Sequence, residues 1–274
     1  LGTKLFVRTR RHVALSPAGA YLLPHARTLT HDLARFAQLA HEAQNGLSGQ
    51  LRLGLNYSAP FHPVTTRLLQ AFHKKYPGIR LELVLHEQDN LLRLADLESA
   101  QLDLALIWLD DDYQSRRLHQ LDLAHDPLQV TLPKCHPLAS RKQISIRDLR
   151  ELPLIAQPRH AGTQRYDAIF RAYASIGAEP RIVYEALQMP LVMSMVAAGQ
   201  GISLLPAFLA GLPIDGVVFR PLQLPKGHDP CMTYRLVMPR QSQNPAATHF
   251  FELAKGLAAP AKIGPQRKSA KETA

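Results

Sequence analysis

From Leu22 onward the apolar side chains fall at Leu22, Ala26, Leu29, Leu33, Phe36, Ala40, Ala43 and Leu47, separated alternately by four and three residues. That spacing keeps a narrow stripe on one face of an α-helix, the pattern of a coiled-coil seam. Ser16 followed by Pro17 reads as an N-cap and a first helical residue, and Asn45-Gly46 as a stop. The pattern therefore predicts one long helix over 16–47. Its stripe either packs on the chain's own domain or pairs with a second copy. Unbroken heptads over this length favour pairing, with Leu22, Ala26, Leu29, Leu33, Phe36 and Ala40 at a dimer seam.

Ahead of the helix, residues 1–15 carry two short β-prone runs around a basic turn, L-F-V-R-T-R-R-H-V-A-L. This reads as a wing-type hairpin, too small to be stable without a body to pack on. Beyond Gly49 the period changes. G-Q-L-R-L-G-L-N, I-R-L-E-L-V-L-H and L-D-L-A-L-I-W read as strands, separated by predicted helices over 59–76 and 91–100. This β-α-β-α-β alternation implies a parallel sheet with helices on its faces. A second series follows. L-Q-V-T-L-P, L-P-L-I-A-Q, R-I-V-Y-E and I-S-L-L-P read as strands, with helices over 166–176 and 190–198. Two further strands, V-V-F-R-P-L and M-T-Y-R-L-V-M-P, precede a last helix over 246–257. Two α/β units and a return strand suggest two lobes, and the fold class is α/β.

M-V-A-A-G-Q-G-I-S-L-L-P (195–206) tests a nucleotide reading. A dinucleotide loop needs its glycines after a strand and before a helix. Here the helix comes first, so Gly199 and Gly201 mark a helix stop and not a phosphate cradle. The opposite ends of such helices matter more. Ser58-Ala59-Pro60, Asp89-Asn90 and Gln188-Met189-Pro190 each follow a strand and open a helix. Free N–H groups at these junctions suit an anion, at the edge where open α/β sheets bind ligands.

Charge adds a partner class. The net charge is +10, and residues 1–50 hold six basic against two acidic side chains. Such an excess favours polyanions. A second basic cluster lies in the tail 258–274, whose Pro-, Ala- and Lys-rich composition reads as disordered. No apolar run is long enough to span a bilayer and no signal peptide opens the chain, so a cytoplasmic, non-membrane protein is expected. Cys135 and Cys231 read as reduced thiols. No HExxH, GxSxG, CxxC or P-loop occurs. Asp110-Asp111-Asp112 has no second ligand cluster near it and reads as a solvated loop. Neither an enzyme, a metal site nor a cofactor is expected.

R-T-R-R-H-V-A-L-S-P-A-G-A-Y-L-L-P-H-A (8–26) resembles the wing and linker helix of LysR-type transcriptional regulators. M-V-A-A-G-Q-G-I-S-L-L-P resembles a late helix-turn-strand of their effector domain. K-K-Y-P-G-I-R-L-E-L, Q-L-D-L-A-L and H-P-L-A fall between them in the family's order. The resemblance covers about residues 1–255. It implies the remnant of a winged helix-turn-helix over 1–15 and a dimerisation helix over 16–47. An effector domain over 48–257 would have the two-lobed fold of periplasmic binding proteins. Lobe I would take 50–122 and 219–257, and lobe II 123–218. A small-molecule effector, an anionic metabolite on this reading, would contact Ser58, Ala59, Asn90, Trp108, Arg159, His160 and Gln188. Lys4, Arg8, Arg10 and Arg11 would touch promoter DNA as phosphate or minor-groove contacts. A dimer or tetramer would bend the promoter and meet RNA polymerase. The family places a recognition helix ahead of L-G-T-K-L-F, and this sequence starts after its place. The expectation is a truncated product or a mis-assigned start, with specific operator binding in doubt. A DNA-binding-deficient effector fragment and a solute receptor of the same fold stay open.

Overall fold

The computed structural model describes residues 1–8, 12–86, 101–109, 113, 115–212, 214–229 and 231–258. Strands β1 (Phe6–Arg8) and β2 (Val13–Leu15) pair antiparallel, as the hairpin reading expects. Ser16 anchors this arm on the helix that follows. Its hydroxyl accepts the Gly19 amide (2.9 Å) and donates to the Lys4 carbonyl (2.6 Å), and its own amide donates to the Leu5 carbonyl (3.0 Å). Helix α1 (Pro17–Gln44) runs through Pro24, which deprives the Ala20 carbonyl of its i+4 donor. It stops as the sequence predicts. Gly46 has φ +66, Gly46 N–H donates to Ala43 (3.1 Å) and Leu47 N–H to Glu42 (2.8 Å), the paired bonds of a left-handed C-terminal cap.

Three parallel strands follow, β3 (Gly49–Asn56), β4 (Ile79–His86) and β5 (Leu104–Leu109). The helix expected over 59–76 is interrupted. Ala59–Phe61 form a 3₁₀ turn, His62 is extended, and α2 (Pro63–Lys75) begins there. Pro63 is the cause, because the residue before a proline is pushed out of the helical region. The helix expected over 91–100 and the Asp110–Asp112 run lie outside the described residues.

Strand β6 (Leu118–Pro133) is longer than the sequence suggested and belongs to both halves of the molecule. Beyond it come β7 (Ile144–Ser145), β8 (Leu154–Ala156) and helix α3 (Thr163–Ala174). Strand β9 (Ile182–Glu185), helix α4 (Met189–Ala197), β10 (Ser203–Pro206), β11 (Val217–Gln223), β12 (Cys231–Pro239) and helix α5 (Pro245–Leu257) complete the chain. The strand order is β4-β3-β5-β12-β6-β11-β7, with β10 also on β6 and β9 beside β8. From Leu118 to Pro127, β6 pairs antiparallel with β12; from Leu128 it pairs with β10 and β11. The partner change between Pro127 and Leu128 is where the chain passes from one half to the other. The boundaries the resemblance suggests, 122/123 and 218/219, fall inside β6 and β11.

Each half lays helices on its own strands, and one apolar cluster runs through both. In the first, Leu51, Leu53, Leu55, Leu104 and Leu106 are fully buried under α2 and α5, which meet at Phe72 and Phe250 (ring centroids 4.9 Å apart). In the second, α3 buries Ala168, Ile169, Ala172 and Tyr173, and α4 buries Val192, Met193 and Val196. Gly199 (φ +75) closes α4, with Gly199 N–H on Val196 (2.9 Å) and Gln200 N–H on Met195 (3.1 Å). G-Q-G is thus a helix stop, as its order along the chain indicates.

Candidate functional site

Strand register fixes where the chemistry lies. β12 starts at Cys231 opposite Pro127, and β5 runs antiparallel to it, ending at Leu109 opposite Thr233. The C-terminal ends of β3, β4 and β5 therefore point at the crossover in β6. From the other side, β10 ends at Pro206 opposite Leu128. Ile202 bridges Leu154 in parallel, and β9 runs parallel to β8. The C-terminal ends of β8, β9 and β10 thus face the same crossover. Two strand edges of the kind at which open α/β sheets bind ligands meet head-on.

The first edge is built around His62. Its Nδ1 accepts the Val64 amide (3.1 Å) and so caps α2, leaving Nε2–H to donate to Asp126 on β6 (2.9 Å). Both side chains are buried. The imidazole stacks on Tyr234 (4.7 Å) and meets Phe208, from the turn after β10, at 4.9 Å. Trp108, at the end of β5, stacks on Phe208 at 5.7 Å and tilts against Tyr234 at 4.7 Å. Trp108 Nε1–H donates to Ser58 Oγ (3.3 Å), and Ser58 donates to Asn56 Oδ1 (3.0 Å), which also takes the Ala59 amide (2.8 Å). Ser58 itself makes no side-chain cap. Phe208 brings a ring of the second half into this aromatic cluster of the first.

The second edge is built around Arg165, in the first turn of α3. Its Nη2–H donates to Gln157 Oε1 just after β8, and its Nη1–H contacts Met189 Sδ at the start of α4 (2.8 Å). Gln157 in turn donates through Nε2 to the Leu187 carbonyl. Arg165 is 4% exposed, and no carboxylate pairs with it among the described residues. Burial depresses its pKa to about 9, which still leaves it protonated at neutral pH. Next to it, Gln164 is also buried and its Oε1 accepts no hydrogen bond.

Of the positions the resemblance singled out, Ser58, Ala59 and Trp108 come together at the first edge. Gln188 is exposed as the N-cap of α4 and makes no side-chain cap bond. Arg159 and His160 are exposed on a 3₁₀ turn, with Arg159 held in a two-bond ion pair by Asp167 (2.9 and 3.0 Å). Asn90, Arg10 and Arg11 lie outside the described residues. Lys4 and Arg8 are exposed on the arm. Along α1, Leu29, Leu33 and Phe36 are each 70% exposed, so the predicted seam is open to solvent on the single chain. His62, Asp126, Phe208, Gln157 and Arg165 were not legible as site residues. Pro63 is the one signal that marks its neighbour His62 as a cap. Cys135 is exposed and Cys231 half-buried. No cluster of metal-ligating side chains and no helix fit to cross a membrane occurs among the described residues.

Fold and site define a class: a two-lobed α/β ligand-binding domain carried behind a long helix with an unpaired apolar seam. A family model, the LysR substrate binding domain, matches residues 44–259. The transcriptional regulator TtuA of Agrobacterium vitis is 34% identical over 81% of this chain and 72% of its own length. The dual regulator OxyR of Escherichia coli K12 is 30% identical over 94% and 82%. Full-length CbnR in complex with its target DNA superposes with a TM-score of 0.79 at 19% identity, covering 94% of this chain and 85% of CbnR. The BenM effector binding domain with benzoate gives 0.66 at 19% identity over 80% and 99%. The chain belongs to the LysR family, whose members among these relatives are transcriptional regulators and not enzymes.

Proposed function

We propose that this chain regulates transcription in the cytoplasm by binding a small molecule between its two lobes. The observation that carries the reading is the convergence of two C-terminal strand edges on the crossover, with Ser58 and Trp108 on one side and Phe208 inserted from the other. A ligand seated there would change how Phe208 packs on Trp108 and His62, and with it the angle between the lobes. Pairing through Leu22, Ala26, Leu29, Leu33, Phe36 and Ala40 of α1 would pass that change to a dimer or tetramer on promoter DNA, and so to RNA polymerase. Lys4 and Arg8, with Arg10 and Arg11, would supply phosphate contacts, which position a protein without reading sequence. The DNA complex of CbnR and the benzoate complex of BenM are consistent with this division of labour. A solute receptor of the same fold has no use for a basic hairpin or an apolar helix seam.

The test is Ser58→Leu, which removes the acceptor of the Trp108 indole and fills the first edge. Metabolites that raise the melting temperature of the parent chain are expected to lose that effect in the variant, with the circular dichroism spectrum unchanged. An unaltered response in a folded variant would place the ligand elsewhere.

A further inference from the structure

Three features of the second lobe concentrate positive potential at one point. Arg165 occupies the third position of α3, where the helix dipole disfavours a cation. The N-terminus of α4 opens beside it at Met189, without a side-chain cap at Gln188. The guanidinium is buried, yet its contacts are an amide oxygen and a thioether sulfur, neither of which cancels its charge. A buried cation normally has a carboxylate partner. Two other guanidinium groups have carboxylate partners, while half-buried Arg220 donates to the Ala139 and Phe219 carbonyls. Arg235 is bound to Asp122 at 2.5 Å, and Arg52 to Asp103 at 3.2 Å, an ion pair that raises the Arg52 pKa. Arg165 differs from both, and through Gln157 it is tied to the segments that follow β8 and β9.

We infer that Arg165 is the anchor for a carboxylate of the small-molecule effector, with Gln157 and the free amides at the start of α4 as further donors. This rests on the reading that the effector lies between the lobes, and names its chemical class. The guanidinium fork matches a carboxylate in two parallel bonds. The thioether contact at Met189 is the one a carboxylate oxygen would displace. The inference also accounts for an otherwise costly residue: the charge is left uncompensated so that a ligand supplies its partner. Removing a buried charge that has no counter-ion relieves its desolvation cost, whereas breaking a buried ion pair strands the remaining charge and is strongly destabilising.

The experiment uses the full chain and its Arg165→Met and Arg165→Lys variants. Acetate, succinate and benzoate are each compared with the matching uncharged amide, at ionic strength held constant with chloride, by thermal melting and calorimetric titration. At least one carboxylate is expected to stabilise the parent chain where its amide does not. Arg165→Met is expected to lose at least tenfold in affinity, Arg165→Lys to fall between, and ligand-free Arg165→Met to melt at or above the parent. Equal carboxylate binding by parent and Arg165→Met, a response to amides as strong as to carboxylates, or no response to any carboxylate would each overturn the assignment. Ser58→Leu separates the two readings. If carboxylate binding depends on Arg165 but survives Ser58→Leu, the anion site stands and the placement between the lobes fails. If Ser58→Leu abolishes binding and Arg165→Met does not, the placement stands and the anchor fails.

Discussion

His62 joins three jobs in one ring: it caps α2 with Nδ1, binds Asp126 with Nε2–H, and stacks on Tyr234 and Phe208. Asp126→Ala strands the buried Nε2–H and is expected to cost about 2 kcal/mol, the scale of a hydrogen bond to a charged group. Asp126→Asn keeps an acceptor and should cost less; urea unfolding of both checks the difference. A second histidine contributes to the pH dependence of stability. His136 caps the H-P-L-A turn, Nδ1 accepting the Leu138 amide (3.2 Å), and burial pulls its pKa below the ordinary 6.5. The unfolded chain therefore takes up this proton first. Stability present above pH 6.5 is expected to fall as the pH drops through the folded value. In His136→Asn, which retains a capping oxygen, that part of the pH slope between 7.5 and 5.5 should vanish from thermal melts. Little of this was readable beforehand. T-Q-R-Y-D has the composition of a solvated helix start, and only burial distinguishes Arg165 from Arg159, six residues earlier. Ser58 could be placed by pattern, at a strand-to-helix junction, and Trp108 by the family resemblance; the partners that meet them come from distant segments.

At the scale of elements, periodicity and punctuation carried most of the information. The heptads and the S-P and N-G signals located α1 to within three residues, and G-Q-G ended α4 where a left-handed residue was needed. A Cβ on Gly46 would meet Pro245 and Ala246 at 2.7–2.8 Å, so the same glycine also docks α1 against α5. The first half of β6 escaped the pattern. L-H-Q-L-D-L-A-H-D-P carries polar side chains on partly exposed faces and a proline, and only pairing with β12 makes it a strand. The open seam of α1 has a direct consequence. With Leu29, Leu33 and Phe36 at 70% exposure, a helix polar on its other faces gains most of its stability from a partner. Leu33→Asp is expected to convert a dimer into a monomer in sedimentation velocity while leaving the melting of the α/β domain nearly unchanged.

Over the whole molecule, the two lobes are covalently continuous through β6, whose partners change between Pro127 and Leu128, and through the return from β11 to β12, and Phe208 of the second packs on the ring cluster of the first. Asp126 lies at this crossover and is tied to His62 of the first lobe. A shift of one lobe against the other must therefore rearrange the contacts around a single indole. Trp108 is the one tryptophan in 274 residues. Nature has placed the chain's only red-edge chromophore at the joint, packed between an imidazole, a phenol and a phenyl ring from opposite lobes. Light absorbed at 295 nm reports on that joint and nothing else, so any movement of one lobe against the other on the proposed ligand binding would be timed in a stopped-flow instrument without attaching a label.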